Sequence, residues 1–308
     1  MTSSTAFIFP GQGSQKVGML AALAGQETVV NDTLVEASDV LGFDLQEMIL
    51  NGPAEALNST ENTQPALLAS GVALWRLWQA RGGETPQYVA GHSLGEYSAL
   101  VAAGVLSYAD ALRLVRSRGL YMQQAVPQGE GGMAAVIGLD DDKVIEICAK
   151  ACLEGEVLSA VNFNAPGQVV IAGSAASVKA SQEAFAAAGA RKVMPLPVSV
   201  PSHCALMKPA AERLEADLAS IEISAPVIPV VHNVSAATTQ DGDTIRANLV
   251  SQLYMPVRWV ESVRFMVAEG VTEMKECGPG KVLAGLGKRI ERSVPVAGME
   301  DLSVYPAA

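Results

Sequence analysis

The chain has 308 residues, 21 Lys and Arg against 32 Asp and Glu for a formal net charge of −11, with 49% hydrophobic and 5% aromatic residues. That length gives one or two domains with a core large enough to stand without disulfides or metal. The acidity argues against binding nucleic acid through its phosphates and against docking on an anionic membrane face, and the apolar content argues against disorder. Residues 1–10 lack the basic and apolar regions of a signal peptide, and no window offers about 18 uninterrupted apolar residues. Cys148, Cys152, Cys204 and Cys277 show neither a paired framework nor CxxC spacing. They read as small buried residues of a cytoplasmic protein, and no metal site is expected.

Along the chain, short apolar runs alternate with longer helical patterns, the mark of parallel βαβ units. Residues 6–9 predict a strand ending at Pro10-Gly11, and 87–90 predict a second one beyond a helical region. A third is expected over 227–231, where the internal Pro229 implies an edge or a bulge. The stretch from about 127 to 199 has a different rhythm. It reads as a strand over 133–139, an acid-started helix over 141–152, and strands over 157–162 and 168–172 about the turn Asn164-Ala165-Pro166-Gly167. A helix over 177–188 stopped by Gly189 and a last strand over 192–198 complete it. That order, β-α-β-β-α-β, is the ferredoxin-like motif. The expected architecture is an α/β body of residues 1–126 and 200–308 carrying a ferredoxin-like subdomain of residues 127–199.

Gly91-His92-Ser93-Leu94-Gly95 follows a predicted strand and opens a helix of small residues, the context in which G-x-S-x-G makes a nucleophile elbow. A sharp strand-to-helix turn needs Gly on both sides, because a Cβ would clash where the backbone closes. Such a turn lifts Ser93 above the sheet edge and leaves the Leu94 N–H free for an oxyanion; the bland alternative is a tight turn with an idle serine. A serine needs a base, and the sequence holds three histidines. His92, next to Ser93 on a tight turn, points away from it. His203, in the Pro-fixed segment Val200-Pro201-Ser202-His203, suits a cleft between the two units and is favoured over His232, which reads as a core histidine.

Arg118 falls on the apolar arc of Ala111, Leu114, Val115 and Met122 in a helix predicted over 110–124, while Arg113 and Arg116 point away from it. A guanidinium in that setting must meet an anion, either an internal carboxylate or the carboxylate of a ligand. Taken alone, the internal pair is the commoner case. In Phe9-Pro10-Gly11-Gln12-Gly13-Ser14-Gln15, Lys16 stands where a dinucleotide fingerprint needs Gly, so the loop suits a second oxyanion N–H from Gln12 instead. Gly278-Pro279-Gly280-Lys281 is followed by Val282, where a phosphate-binding loop needs Ser or Thr.

Together with Thr63-Gln64-Pro65-Ala66, Glu96-Tyr97 and Arg118-Gly119, these segments run almost from end to end in an order that resembles the malonyl-CoA:acyl-carrier-protein transacylase family of bacterial fatty-acid synthesis. The resemblance implies a hydrolase-like body with a ferredoxin-like insertion. It also implies ping-pong transfer of malonyl from malonyl-CoA to the phosphopantetheine thiol of acyl carrier protein through a malonyl-serine. On that reading Ser93 is the nucleophile, and His203 the base and later the acid. Backbone N–H groups of Gln12 and Leu94 form the oxyanion hole, Gln12 and Arg118 bind the substrate, and the Gln252 main-chain carbonyl orients His203 in place of an acid. No cofactor is permanently bound, and coenzyme A is the leaving group. His232-Asn233 stands where relatives often carry Asn-Asn, and a small Ser202 stands where malonyl-selective polyketide modules often carry Phe. Carrier proteins are acidic, so a chain of net charge −11 needs a local basic patch to meet one; Arg191, Lys192, Lys288 and Arg289 are the candidates. A serine esterase or thioesterase with water as acceptor, or an inactive carrier-binding scaffold, are the alternatives.

Overall fold

The computed structural model describes residues 4–198 and 200–307, so Met1, Ser199 and Ala308, which bound the two expected units, lie outside the described residues. The strands are β1 (Thr5–Phe9), β2 (Tyr88–Gly91), β3 (Gly131–Ile137), β4 (Leu158–Ala165), β5 (Gln168–Ser174), β6 (Lys192–Pro195), β7 (Val230–Val231), β8 (Glu273–Glu276) and β9 (Val296–Gly298). They form two sheets. One is parallel throughout, in the order β7-β2-β1-β8-β9; the other is antiparallel, in the order β4-β5-β3-β6. The fold is therefore α/β, with a hydrolase-like parallel sheet and a separate ferredoxin-like sheet.

The apolar run of β1 explains its central place. Successive side chains of a strand point to opposite faces, and both faces of a parallel sheet are covered. Phe7 and Phe9 pack into the core on one face, where Trp75 and Trp78 meet the Phe7 ring edge-on at 5.5 and 5.2 Å. Ala6 and Ile8 enter a second core with Trp259 and Val263 on the other. The third expected strand is shorter than the sequence suggested: Pro229 has no N–H to give, so pairing begins at Val230, and β7 sits at the sheet edge beside β2 alone. Neither β8 nor β9 was anticipated. The sequence of β8, Glu-Met-Lys-Glu, has no apolar run, and its burial is completed by the Glu276 carboxylate accepting from the Leu283 and Ala284 amides.

In the second sheet, helices Asp141–Ala151 and Ala175–Ala187 cover one face through Ile147, Phe185 and their neighbours. The opposite face carries Met133, Ala135 and Ala172 onto Cys204 and Leu206. Strand β4 runs on to Ala165, beyond the expected 162, which shrinks the turn to Pro166-Gly167. Strand β6 stops at Pro195 rather than 198: the Leu196 amide still reaches the Met133 carbonyl at 2.9 Å, and Pro197 has no N–H to continue. The two sheets are joined through β4, whose Val161 and Phe163 exchange backbone hydrogen bonds with Val257 at 2.8 and 3.0 Å.

Candidate active site

Strands β1 and β2 are parallel neighbours, and Phe9 stands opposite Gly91. The loop after β1 and the turn after β2 therefore meet at the carboxyl edge of the sheet, where open α/β sheets bind ligands. The turn is tight enough to exclude side chains at both glycines. A Cβ on Gly91 would stand 1.9 Å from the Gly95 carbonyl carbon, and one on Gly95 would stand 2.0 Å from the Phe9 oxygen. Ser93 between them has φ 52, a left-handed backbone that costs a non-Gly residue free energy. Asn233 holds it there: its Oδ1 accepts from the Ser93 amide at 2.7 Å and its Nδ2 donates to the Gly91 carbonyl at 2.6 Å.

Ser93 Oγ lies 2.8 Å from His203 Nε2, and His203 Nδ1 lies 2.7 Å from the Gln252 main-chain oxygen. A carbonyl only accepts, so Nδ1 carries the proton and Nε2 is left to accept from the serine hydroxyl. His203 also has a left-handed φ, 65, and is buried. Burial, helped by the positive charge of Arg118 and opposed by the Gln252 carbonyl, lowers its pKa to about 3. The imidazole is thus neutral at physiological pH. The other two histidines lie elsewhere. His92 turns its Nε2 to Asn164 Oδ1 of β4 at 2.7 Å, tying the elbow to the second sheet, and burial lowers its pKa. His232 is buried with its Nδ1 2.7 Å from Glu96 Oε1.

Arg118 comes from helix Tyr108–Ala125 and is 1% exposed. Burial lowers its pKa, and the charges of Tyr97 and Glu96 oppose that. Its guanidinium donates to Gln64 Oε1 at 2.8 Å, to Gln252 Oε1 at 3.1 Å and to Ser93 Oγ at 3.4 Å. It makes no ion pair with an Asp or Glu among the described residues. Of the two anions left open above, the internal carboxylate in direct contact is thus excluded. Two neutral amides hold the fork in the interior, with no carboxylate among the described residues bonded to it.

A cavity of about 330 Å³ opens between the two sheets over this group, lined by Gln12, Ser93, Leu94, Arg118 and His203 together with Met133 of β3. The loop carrying Gln12 lies directly on the elbow, since a Cβ on Gly11 would stand 2.5 Å from the His92 oxygen. The backbone N–H groups of Gln12 and Leu94 make no hydrogen bond among the described residues. The Gln12 side chain reaches Thr60 Oγ1 at 3.4 Å. The Gly-Pro-Gly-Lys loop has a different occupant: Glu276 takes the first free amides of helix Val282–Ile290, so the chain supplies its own anion there. Among the described residues no cluster of three His, Cys, Asp or Glu is placed to hold a metal, and no helix is long and apolar enough to cross a membrane.

Sequence reasoning assigned no role to Gln64, Glu96, Asn164 or Asn233. For Gln64 a signal existed, a Gln in helix Thr60–Ala80 among apolar neighbours, and it is fully buried. Asn233 and Glu96 carried no local signal, because their partners lie more than a hundred residues away along the chain.

A serine raised on a strand-turn-helix elbow, bonded to an imidazole and opening on a cavity, defines the class of α/β proteins built for acyl chemistry. Comparison with known proteins narrows it. Residues 6–286 match the acyl transferase domain, and the chain belongs to that acyltransferase family. It is 56% identical to the malonyl CoA-acyl carrier protein transacylase of Escherichia coli (strain K12), over 98% of each chain. The protein of that name from Bacillus subtilis (strain 168) is 45% identical over 97% of this chain and 94% of its own. Among solved structures, an acyl carrier protein S-malonyltransferase from Vibrio cholerae superposes with a TM-score of 0.96 at 54% identity, covering 98% of both chains. A malonyl-transacylase in complex with its type II PKS acyl-carrier protein does so with a TM-score of 0.96 at 53% identity, covering 98% of this chain and 97% of that one.

Proposed function

We propose that the chain transfers the malonyl group of malonyl-CoA to the phosphopantetheine thiol of acyl carrier protein in cytoplasmic fatty-acid biosynthesis, through a malonyl ester on Ser93. The observation that carries this reading is Arg118. It is a buried guanidinium 3.4 Å from the Ser93 hydroxyl, with only neutral acceptors around it. A malonyl group places a carboxylate one methylene beyond its thioester carbonyl, within reach of that fork once the carbonyl is at Ser93. An acetyl group would leave the charge unpaired, an asymmetry that discriminates strongly.

His203 Nε2 takes the hydroxyl proton as Ser93 Oγ attacks the thioester carbon, a step worth about 10²–10⁴-fold. The tetrahedral oxyanion is received by the Gln12 and Leu94 N–H groups, each worth roughly 10²–10³. Collapse breaks the C–S bond, and His203 returns the proton to the departing coenzyme A thiolate. The carrier thiol then gives its proton to His203 and attacks the ester, and Ser93 recovers its hydrogen as the malonyl thioester leaves. No cofactor stays bound in this cycle. The body of residues 1–126 and 200–308 supplies the reacting groups, and residues 127–199 close the cavity. The carrier docks on Arg191, Lys192, Lys288 and Arg289, all exposed. Arg191 lies against Gly138, whose amide bonds Gly167, and Arg289 donates to the adjacent Pro166 carbonyl, so the two arginines flank one pair of turns.

Intact-mass measurement after mixing with malonyl-CoA tests the ester. The native chain gains one malonyl group and Ser93→Ala gains none; an adduct persisting in Ser93→Ala overturns the assignment. Malonyl-CoA consumption that is equally fast without carrier protein would make water the acceptor and overturn the transfer.

A further inference from the structure

Three donors converge on the carboxylate of Glu96, which is 1% exposed and does not line the cavity. Oε1 takes His232 Nδ1 at 2.7 Å; Oε2 takes the Gln252 side-chain Nε2 at 2.7 Å and the Asn233 amide at 3.2 Å. Among the described residues, Gln252 is the one bonded to Ser93, Arg118 and His203 together. Its Nε2 also donates to the Ser93 carbonyl at 3.0 Å, its Oε1 accepts from Arg118 at 3.1 Å, and its main-chain oxygen holds His203 at 2.7 Å.

A carboxamide fits its site nearly as well when flipped by 180°, because oxygen and NH₂ have almost the same shape. In a flipped Gln252 the NH₂ would face the Arg118 guanidinium, donor against donor, and the oxygen would face the Ser93 carbonyl. Arg118 alone disfavours that flip, but a guanidinium on a long side chain can swing away from it. Glu96 has no such freedom: its carboxylate stands one turn past Ser93 on helix Gly95–Ala102 and only accepts. We propose that Glu96 is a positioning residue for acylation. It fixes the direction of the Gln252 amide, and through it aims Arg118 into the cavity and keeps the Gln252 carbonyl on His203. His232 and the Asn233 amide hold Glu96 in turn, which gives the His232-Asn233 pair a use beneath the elbow. The inference rests on the acylation chemistry proposed above and adds a residue that touches neither substrate nor serine side chain.

The test compares two variants that separate reach from charge. Glu96→Asp keeps the charge and withdraws the carboxylate by one methylene from Gln252. Glu96→Gln loses the charge but keeps an acceptor oxygen at the same place, and its NH₂ can face His232 in the other tautomer. Single-turnover acylation of Ser93 is read by quenched intact mass with malonyl-CoA and with acetyl-CoA. Displacing a reacting group by about 1 Å can cost up to about a hundredfold. Glu96→Asp is therefore expected to acylate at least about tenfold slower than the native chain, with the larger fall for malonyl, and Glu96→Gln to stay within about threefold. The reverse order would make charge the cause and overturn the proposal. Equal losses in both variants, or Glu96→Asp at the native rate, would overturn it too. Arg118→Ala judges the carboxylate reading separately. If malonyl preference survives that change, the reading falls, while the contrast between the two Glu96 variants with acetyl-CoA still decides the positioning role through His203.

Discussion

Arg118 has a second effect, on the base. His203 is held near a pKa of about 3 first by burial and next by the Arg118 charge. The contacts of 3.4 Å from guanidinium to Ser93 Oγ and 2.8 Å from there to His203 Nε2 limit the separation of the two groups to roughly 6 Å. At an effective dielectric of about 20 the repulsion between a guanidinium and an imidazolium at that distance is about 3 kcal/mol, roughly a hundredfold in proton affinity. Arg118→Ala removes it and leaves the burial, so the His203 pKa should rise from about 3 toward about 5, still short of a free histidine. The sign follows from the chemistry: only neutral imidazole can take the serine proton, so a higher pKa moves the acid limb of the rate to higher pH. Acetyl-CoA is the donor to use, because it has no carboxylate to lose contact with Arg118. The native chain should acylate at a constant rate from neutral pH to about 5, whereas Arg118→Ala should have lost about half its rate there and fall tenfold per pH unit below. Circular dichroism at each pH restricts the comparison to folded protein. Superposable profiles would refute the coupling. If it holds, a malonyl carboxylate that pairs with Arg118 also strengthens the base, so the fitting acyl group raises the reactivity of the site it enters.

Two further outcomes follow from the same geometry. Gly95→Ala drives a methyl group to 2.0 Å from the Phe9 oxygen, a main-chain atom that cannot swing aside. Chemical denaturation should show a loss above about 3 kcal/mol or no folded protein at all, and a loss under about 1 kcal/mol would contradict the tight elbow. Reversing Lys192 and Lys288 to Glu should raise the apparent KM for carrier protein several-fold, and more at low salt, without changing Ser93 acylation by malonyl-CoA. Equal effects on both half-reactions would remove the patch as the docking surface.

What could be read in the sequence was what a short window determines. The run 6–9 is apolar on both faces because β1 is buried on both, and Gly91 and Gly95 are legible because backbone contact at an elbow admits no other residue. Arg118 stood out because a charge on an apolar arc is costly, yet the window held nothing that could name its partner. Deciding between the two anions required Gln64 and Gln252, which come from 54 residues before and 134 after. Strand β8 escaped because three of its four residues are charged, and the buried Glu276 carboxylate is satisfied by amides of the next helix. Glu96 sits inside the most conspicuous motif of the chain, but its use depends on Gln252, 156 positions away. Ser93, His203 and Arg118 announce themselves by type and spacing, whereas Asn233, Gln252 and Glu96, which hold them in place, take their meaning from the fold.

One rule accounts for the neutral groups around Ser93. Serine hydrolases orient the catalytic imidazole with a carboxylate, which also stabilises the imidazolium. Here a main-chain carbonyl does the orienting, from Gln252, whose own side chain is 3.1 Å from the Arg118 guanidinium. A carboxylate introduced at that point would lie beside Arg118 and pair with it, in competition with the carboxylate of an incoming acyl group. Neutral amides at Gln64 and Gln252 and a neutral carbonyl on His203 orient both groups, and in the proposed reaction they leave the guanidinium charge for the substrate. The nearest acid of the network, Glu96, is separated from Arg118 by the Gln252 amide, and its oxygens are already bonded to three other donors. The weak base thus follows first from burial and next from the unpaired arginine, and in the proposed reaction the site receives its missing negative charge with the acyl group.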